Sequence, residues 1–395
     1  MSRTNFYLFL AIAGVSNLTF SMNSMLFSLF AQKVGYSSPE TGLLISILAI
    51  GSLVGGPVWG RITDCWEHRK LLISLSLLGQ GLFSFLTPLI SQIEWLTIAR
   101  FFLGFFLVAQ APILNQLMVN VADIEERSYK ISLLNITRAI AFSLGCLLSG
   151  ISIEIQPALN FYLPGTMAFV TFFLSLFLKE VDQLITFSQE ENFAPSHSFL
   201  LLDKNLVWFF LPIFLRACGI NGLNFFVSLF WETQGQSSSF SGLVFAVANF
   251  FQWIFFPLVS RKCSRSEVKN IQAISVGYFL SVFPFLILPF LGKGWILLLP
   301  QSLISISFAY FYLGSTMSIR FIVAPHRQTE AMGWIETSIN LGGTTGPLLF
   351  SILLAVFQQN FPPVIFIFSL FPISALVTFL FRRKSFLPAE KESSI

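Results

Sequence analysis

Gly56-Pro57-Val58-Trp59-Gly60-Arg61-Ile62-Thr63-Asp64-Cys65-Trp66-Glu67-His68-Arg69-Lys70 is a dense charge cluster between two long apolar runs. Each of its charges would be costly inside hydrocarbon, so the stretch belongs at a water interface. The sequence around it is oily. The chain of 395 residues is 54% hydrophobic and 11% charged, against about a quarter charged in ordinary soluble domains. Phenylalanine alone accounts for 48 residues. In water such a chain would expose far more apolar surface than a soluble fold tolerates. The composition predicts an all-α integral membrane protein.

A membrane-spanning helix needs roughly 20 apolar residues. Working outward from the charged stretch, twelve runs meet that criterion: 6–31, 41–62, 71–91, 94–120, 130–153, 159–178, 205–231, 239–259, 270–291, 294–319, 332–357 and 363–381. The first run continues past the short Ala11-Ile12-Ala13 sequence and reads as an uncleaved span. Residues 1–178 form an N-terminal half, 179–204 a polar linker, and 205–395 a C-terminal half with a short tail. On the side carrying the N-terminus stand eighteen lysines and arginines, while the opposite side has only Lys33 and Lys293. This asymmetry predicts cytoplasmic termini and linker; the short chain with minimal loops suggests a bacterial inner membrane.

The two halves repeat. At an offset of 200, Gly42 matches Gly242, Pro57 matches Pro257, and Arg61 matches Arg261. Ser21, Ser24 and Ser28 match Asn221, Asn224 and Ser228, and each set lies on one helix face. Gly145-Cys146-Leu147-Leu148 resembles Gly346-Pro347-Leu348-Leu349 at an offset of 201. Parallel repeats of this kind describe a known secondary-transporter architecture.

Gly60, Asp64 and Arg69 fit the loop signature between spans two and three of the major facilitator superfamily, which the chain resembles along its whole topology. Cys65 and Glu67 depart from that signature. Arg100 and Gly104 match the family's Arg-x-x-x-Gly element in the fourth span, and Gly145–Gly150 is a degraded form of an element found in its antiporters. The resemblance implies a fold of twelve transmembrane helices that works by alternating access. In that fold Gly60, Asp64 and Arg69 would form a gating latch, and Arg100 would act in the cavity or in proton relay.

Charged residues within spans are functional candidates. The sequence places Arg100, Arg138, Arg216 and Glu336 there, with Glu336 only a turn inside its run. Asn17, Ser21, Ser24, Asn221, Asn224 and Gln301 supply neutral hydrogen-bonding groups, which join the three arginines as candidate substrate contacts. Gly346 and Pro347 are candidates for a gating bend or a close helix contact. Three embedded arginines against one shallow carboxylate favour a small polar or anionic solute, such as a sugar or organic anion. The alternatives are a proton-coupled multidrug exporter and a transport-inactive sensor or scaffold.

The expected partners are a small-molecule substrate, a proton or other coupling ion, and the lipid bilayer, with the chain acting as a monomer and without nucleic acid. Neither a phosphate-cradling GxxxxGK[ST] loop nor an HExxH pair occurs, so an enzyme is not expected. The four cysteines lack CxxC spacing, and no disulfide, metal or cofactor is expected.

Overall fold

The computed structural model describes residues 3–65, 69–110, 113, 124–177, 204–263, 267–291, 293–323 and 328–386. Among them every regular element is helical. In order these are α1 (Arg3–Ser24), α2 (Phe27–Val34), α3 (Ser38–Cys65), α4 (Arg69–Leu86), α5 (Ile93–Leu107), α6 (Ile124–Ile155) and α7 (Leu159–Ser175). There follow α8 (Lys204–Thr233), α9 (Ser238–Cys263), α10 (Glu267–Ile287), α11 (Leu298–Ile322), α12 (Gln328–Val356), α13 (Phe361–Phe368) and α14 (Leu370–Arg382).

Among the described residues ten helical segments are long and apolar enough to cross a membrane. With α5 and the shorter apolar α7, they match the twelve runs read from the sequence. Residues 179–203 of the linker and residues 66–68 of the charged loop lie outside the described residues. The first apolar run is not one helix: it breaks after Ser24 and resumes at Phe27.

The described contacts form two compact units. One comprises Met1–Phe193 with Ser237–Ala246, and the other Ala194–Gln236 with Val247–Ile395. Within each unit close helix pairs meet where a glycine exposes a neighbour's backbone. In the first, a Cβ on Gly145 of α6 would lie 2.8 Å from the Leu18 carbonyl oxygen of α1. In the second, a Cβ on Gly346 of α12 would collide with the Cys218 carbonyl oxygen of α8. Leu18 and Cys218 stand 200 residues apart, and Gly145 and Gly346 stand 201 apart, so the sequence repeat is also a repeat of packing.

The turns repeat as well. Gly35 ends α2 at φ 98°, and Tyr36 N–H donates back to the Ala31 carbonyl at 2.9 Å. Gly235 follows α8 at φ 78°, and Gln236 N–H donates to the Trp231 carbonyl at 3.0 Å. Both are left-handed glycine closures of a helix end. Ser37 and Ser237 then start α3 and α9, their carbonyls accepting from the N–H groups of Thr41 and Ser241.

Pro347 lies within an unbroken α12, and Gly346 beside it packs closely on α8. The phenylalanines divide between core and periphery: Phe27, Phe161 and Phe226 are fully buried, whereas Phe381 is 83% exposed.

Gly346→Val is expected to cost about 1–3 kcal/mol through overpacking against the Cys218 carbonyl. Gly56→Ala, where an added Cβ meets nothing within 4 Å, is the matched control. Thermal unfolding of the purified protein in detergent compares the two, and an equal melting temperature for both would refute the packing assignment.

Candidate transport site

Hydrocarbon offers buried charges no partners, so each embedded charge must find them within the protein. Arg100 of α5 is fully buried. Its Nη1 donates to the Asn23 carbonyl at 2.9 Å and its Nε to the Leu44 carbonyl at 3.4 Å. The guanidinium lies 3.9 Å from the Phe27 ring centroid. Asn23 belongs to the last turn of α1, where carbonyls run out of helical donors and the helix dipole is negative. Arg100 therefore staples the α1–α2 break. Asn160 Nδ2 donates to the Met22 carbonyl at 2.8 Å, and Asn23 Nδ2 to Ser84 Oγ at 3.1 Å, completing the staple from α7 and α4.

Arg216 of α8 is 3% exposed. Its Nε donates to Ser281 Oγ on α10 at 2.7 Å and its Nη2 to Ser307 Oγ on α11 at 2.9 Å. The Phe311 ring lies 4.5 Å away. These partners carry no charge and tie three helices together. Arg138 stands partly buried on α6 and also has partners.

Glu336 is different. It is exposed, and it lies eight residues along α12 from Gln328, about 12 Å at 1.5 Å per residue. Its Oε1 accepts a 2.7 Å hydrogen bond from Tyr312 Oη on α11. Tyr312 stacks on Phe308 at 5.2 Å and meets Phe256 of α9 at 6.4 Å, with Trp253 at 6.3 Å beyond Phe256. A carboxylate beside aromatic faces can bind a proton or an organic cation, and flat apolar groups can stack alongside it.

The sequence-predicted polar faces divide. Asn17, Ser21 and Ser24 bond to the carbonyls of Ala13, Leu18 and Phe20 within α1. Such back-bonding uses up donors that could otherwise serve a ligand. Across α8 and α11, Gln301 Nε2 donates to Asn224 Oδ1 at 3.1 Å. Asn221, partly buried, faces Gly343 of α12. Gly60 and Asp64 fall in the last turns of α3 and Arg69 opens α4, while their side chains lie outside the described residues. Asn23, Asn160, Ser281 and Ser307 were not singled out from the sequence. Their only signal there is a polar residue interrupting an apolar run.

The model of the Major Facilitator Superfamily matches residues 9–321. The chain belongs to this superfamily. It is thus an integral membrane transporter with the twelve-span fold of that superfamily. Among its relatives is the quinolone resistance protein NorA of Staphylococcus aureus, 22% identical over 83% of this chain and 84% of that protein. The class B tetracycline resistance protein of Escherichia coli is 23% identical over 79% of this chain and 78% of its own. The fold superimposes on the nucleoside transporter NupG with a TM-score of 0.82, at 14% identity over 96% of this chain and 99% of that one.

Arg100→Met is expected to destabilise the protein by about 2–3 kcal/mol, because two carbonyls lose a charged donor. Arg216→Met should cost less, since the Ser281 and Ser307 hydroxyls keep their hydrogen bonds to the Gly277 and Ile304 carbonyls, both at 2.7 Å. Melting temperatures in detergent test the order, and the reverse order would refute it.

Proposed function

We propose that the protein is a proton-coupled transporter of aromatic, neutral or cationic small molecules, with Glu336 as the group that takes up and releases the proton. One observation carries this reading. Glu336 is an exposed carboxylate within a span, hydrogen-bonded to Tyr312 and flanked by aromatic rings, while Arg100 and Arg216 are buried on uncharged groups of their own units. The preference for an anionic solute drawn from the sequence rested on three embedded arginines against one carboxylate, and the burial of two of them, Arg100 and Arg216, moves the balance toward the proton-coupled alternative. Resistance to quinolones and tetracycline, named for two relatives, supports export as the direction.

In this mechanism a protonated Glu336 is neutral and releases a bound cation, and an ionised Glu336 recruits the next one. Arg100 and Arg216 position helices, and Asn221, Asn224 and Gln301 contribute hydrogen bonds to the substrate. Gly60, Asp64 and Arg69 latch the transporter as it alternates between open states, and the Gly346-Pro347 contact sets the packing of α12 on α8. The lysine and arginine distribution favours cytoplasmic termini, and we place the chain in a bacterial plasma membrane as a monomer. A second reading, a neutral polar solute such as a sugar, draws support from the Asn224–Gln301 pair.

The test is uptake of an aromatic cation into proteoliposomes under an imposed pH gradient. Glu336→Gln should reduce gradient-driven accumulation by about tenfold or more, because a fixed amide cannot alternate in charge. Tyr312→Phe should weaken coupling less. Undiminished accumulation by Glu336→Gln would overturn the assignment. Transport of sugars with no response to pH would install the second reading.

A further inference from the structure

The first unit contains a cleft that the transport mechanism leaves unused. Both α6 and α7 pack extensively on α1 but scarcely on each other, which leaves a gap along α1. The gap has a volume of about 610 Å³ and is lined by residues 10–18 of α1, 137–144 of α6 and 166–174 of α7. Its floor is low because Ala11, Gly14 and Ala141 are small. Three threonines line it, and each hydroxyl is already committed to its own helix: Thr137 to Leu133, Thr166 to Tyr162 and Thr171 to Met167, at 2.9, 2.7 and 2.8 Å. These hydroxyls therefore have no proton left to offer a polar ligand. The rim is apolar and exposed, with Ile140 at 56% and Val170 at 54%.

Depth selects the occupant. Residues 10–18 occupy the middle of the span Phe6–Ser24, and the lining stretches of α6 and α7 also lie within apolar helices. At 1.5 Å per residue each stretch runs about 10–12 Å, within a hydrocarbon core about 30 Å thick. At that depth the surrounding solvent is hydrocarbon chain, and a trough of small residues holds it by van der Waals contact rather than by hydrophobic drive.

We propose that the cleft between α1, α6 and α7 is a binding site for one acyl chain of a bilayer lipid. The lining residues belong to the first unit and Glu336 to the second, so a lipid bound here would act through the packing of α1.

The full-length protein in nanodiscs, with phosphatidylcholine carrying a diazirine midway along one acyl chain, tests this by photolabelling and peptide mapping. Adducts should concentrate on residues 10–18 and 166–174. They should fall about fivefold or more in Ala11→Phe and in Gly14→Leu, which fill a space the chain would otherwise pack into. Gly14→Ala, whose Cβ would lie 3.4 Å from Thr137 Cγ2 in ordinary contact, should label like the parent. Ala11 is exposed, so its variant keeps the test valid if Gly14→Leu fails to fold. Adducts spread evenly over all spans, or undiminished in a folded filling variant, would overturn the proposal. Cross-linking of this face to a second copy of the chain would also overturn it, identifying a dimer interface instead.

Discussion

Hydrocarbon neither donates nor accepts hydrogen bonds, and that constraint shapes nearly every polar contact in this protein. Many serines and threonines in the spans spend their hydroxyls on carbonyls three or four residues back, as Thr63 does on Trp59 and Ser152 on Leu148. Where a helix is interrupted, side chains from other helices supply the missing partners. The break between α1 and α2 persists because Arg100, Asn160 and the Asn23–Ser84 pair converge on it from three helices. A cation at the end of α1 also answers the negative end of the helix dipole, so one buried charge both satisfies carbonyls and has its own cost offset.

A second consequence is close approach. Lipid tails are as apolar as leucine, so helices gain little by burying oil against oil and more by fitting tightly. Glycine allows that fit. Gly51 and Gly104 bring α3 and α5 together against the carbonyls of Phe101 and Leu48, while Gly145 and Gly346 do the same for α1–α6 and α8–α12. The match of the last two contacts at an offset near 200 residues ties the sequence repeat to a backbone geometry.

The embedded charges illustrate how environment decides role. Arg216 is held by Ser281, Ser307 and an aromatic face, an arrangement that ties three helices together and leaves the guanidinium buried. Glu336 has one hydrogen-bond donor in Tyr312 and an open side. A permanently charged guanidinium buried among helices serves packing, whereas an exposed carboxylate can change its protonation state. This contrast, rather than the count of positive and negative residues, supports a proton-coupled reading of the transport site.

The sequence by itself determined the membrane class, the number of spans and the repeat, because these follow from run length, charge placement and spacing along one chain. It also marked Arg100, Arg216 and Glu336 as costly residues needing explanation. It did not reveal the α1–α2 break, since Met25 and Leu26 are as apolar as their neighbours and the donors that hold the break come from α4, α5 and α7. Nor did it show the Gly35 and Gly235 closures as a repeated pair, because a left-handed turn is a property of φ and not of composition. Above all, the partners of each embedded charge were decided by tertiary structure alone. Tyr312 lies 24 residues from Glu336, and Ser281 and Ser307 lie 65 and 91 residues from Arg216. Hydrogen bonds across helices depend on packing register, which one-dimensional spacing does not encode.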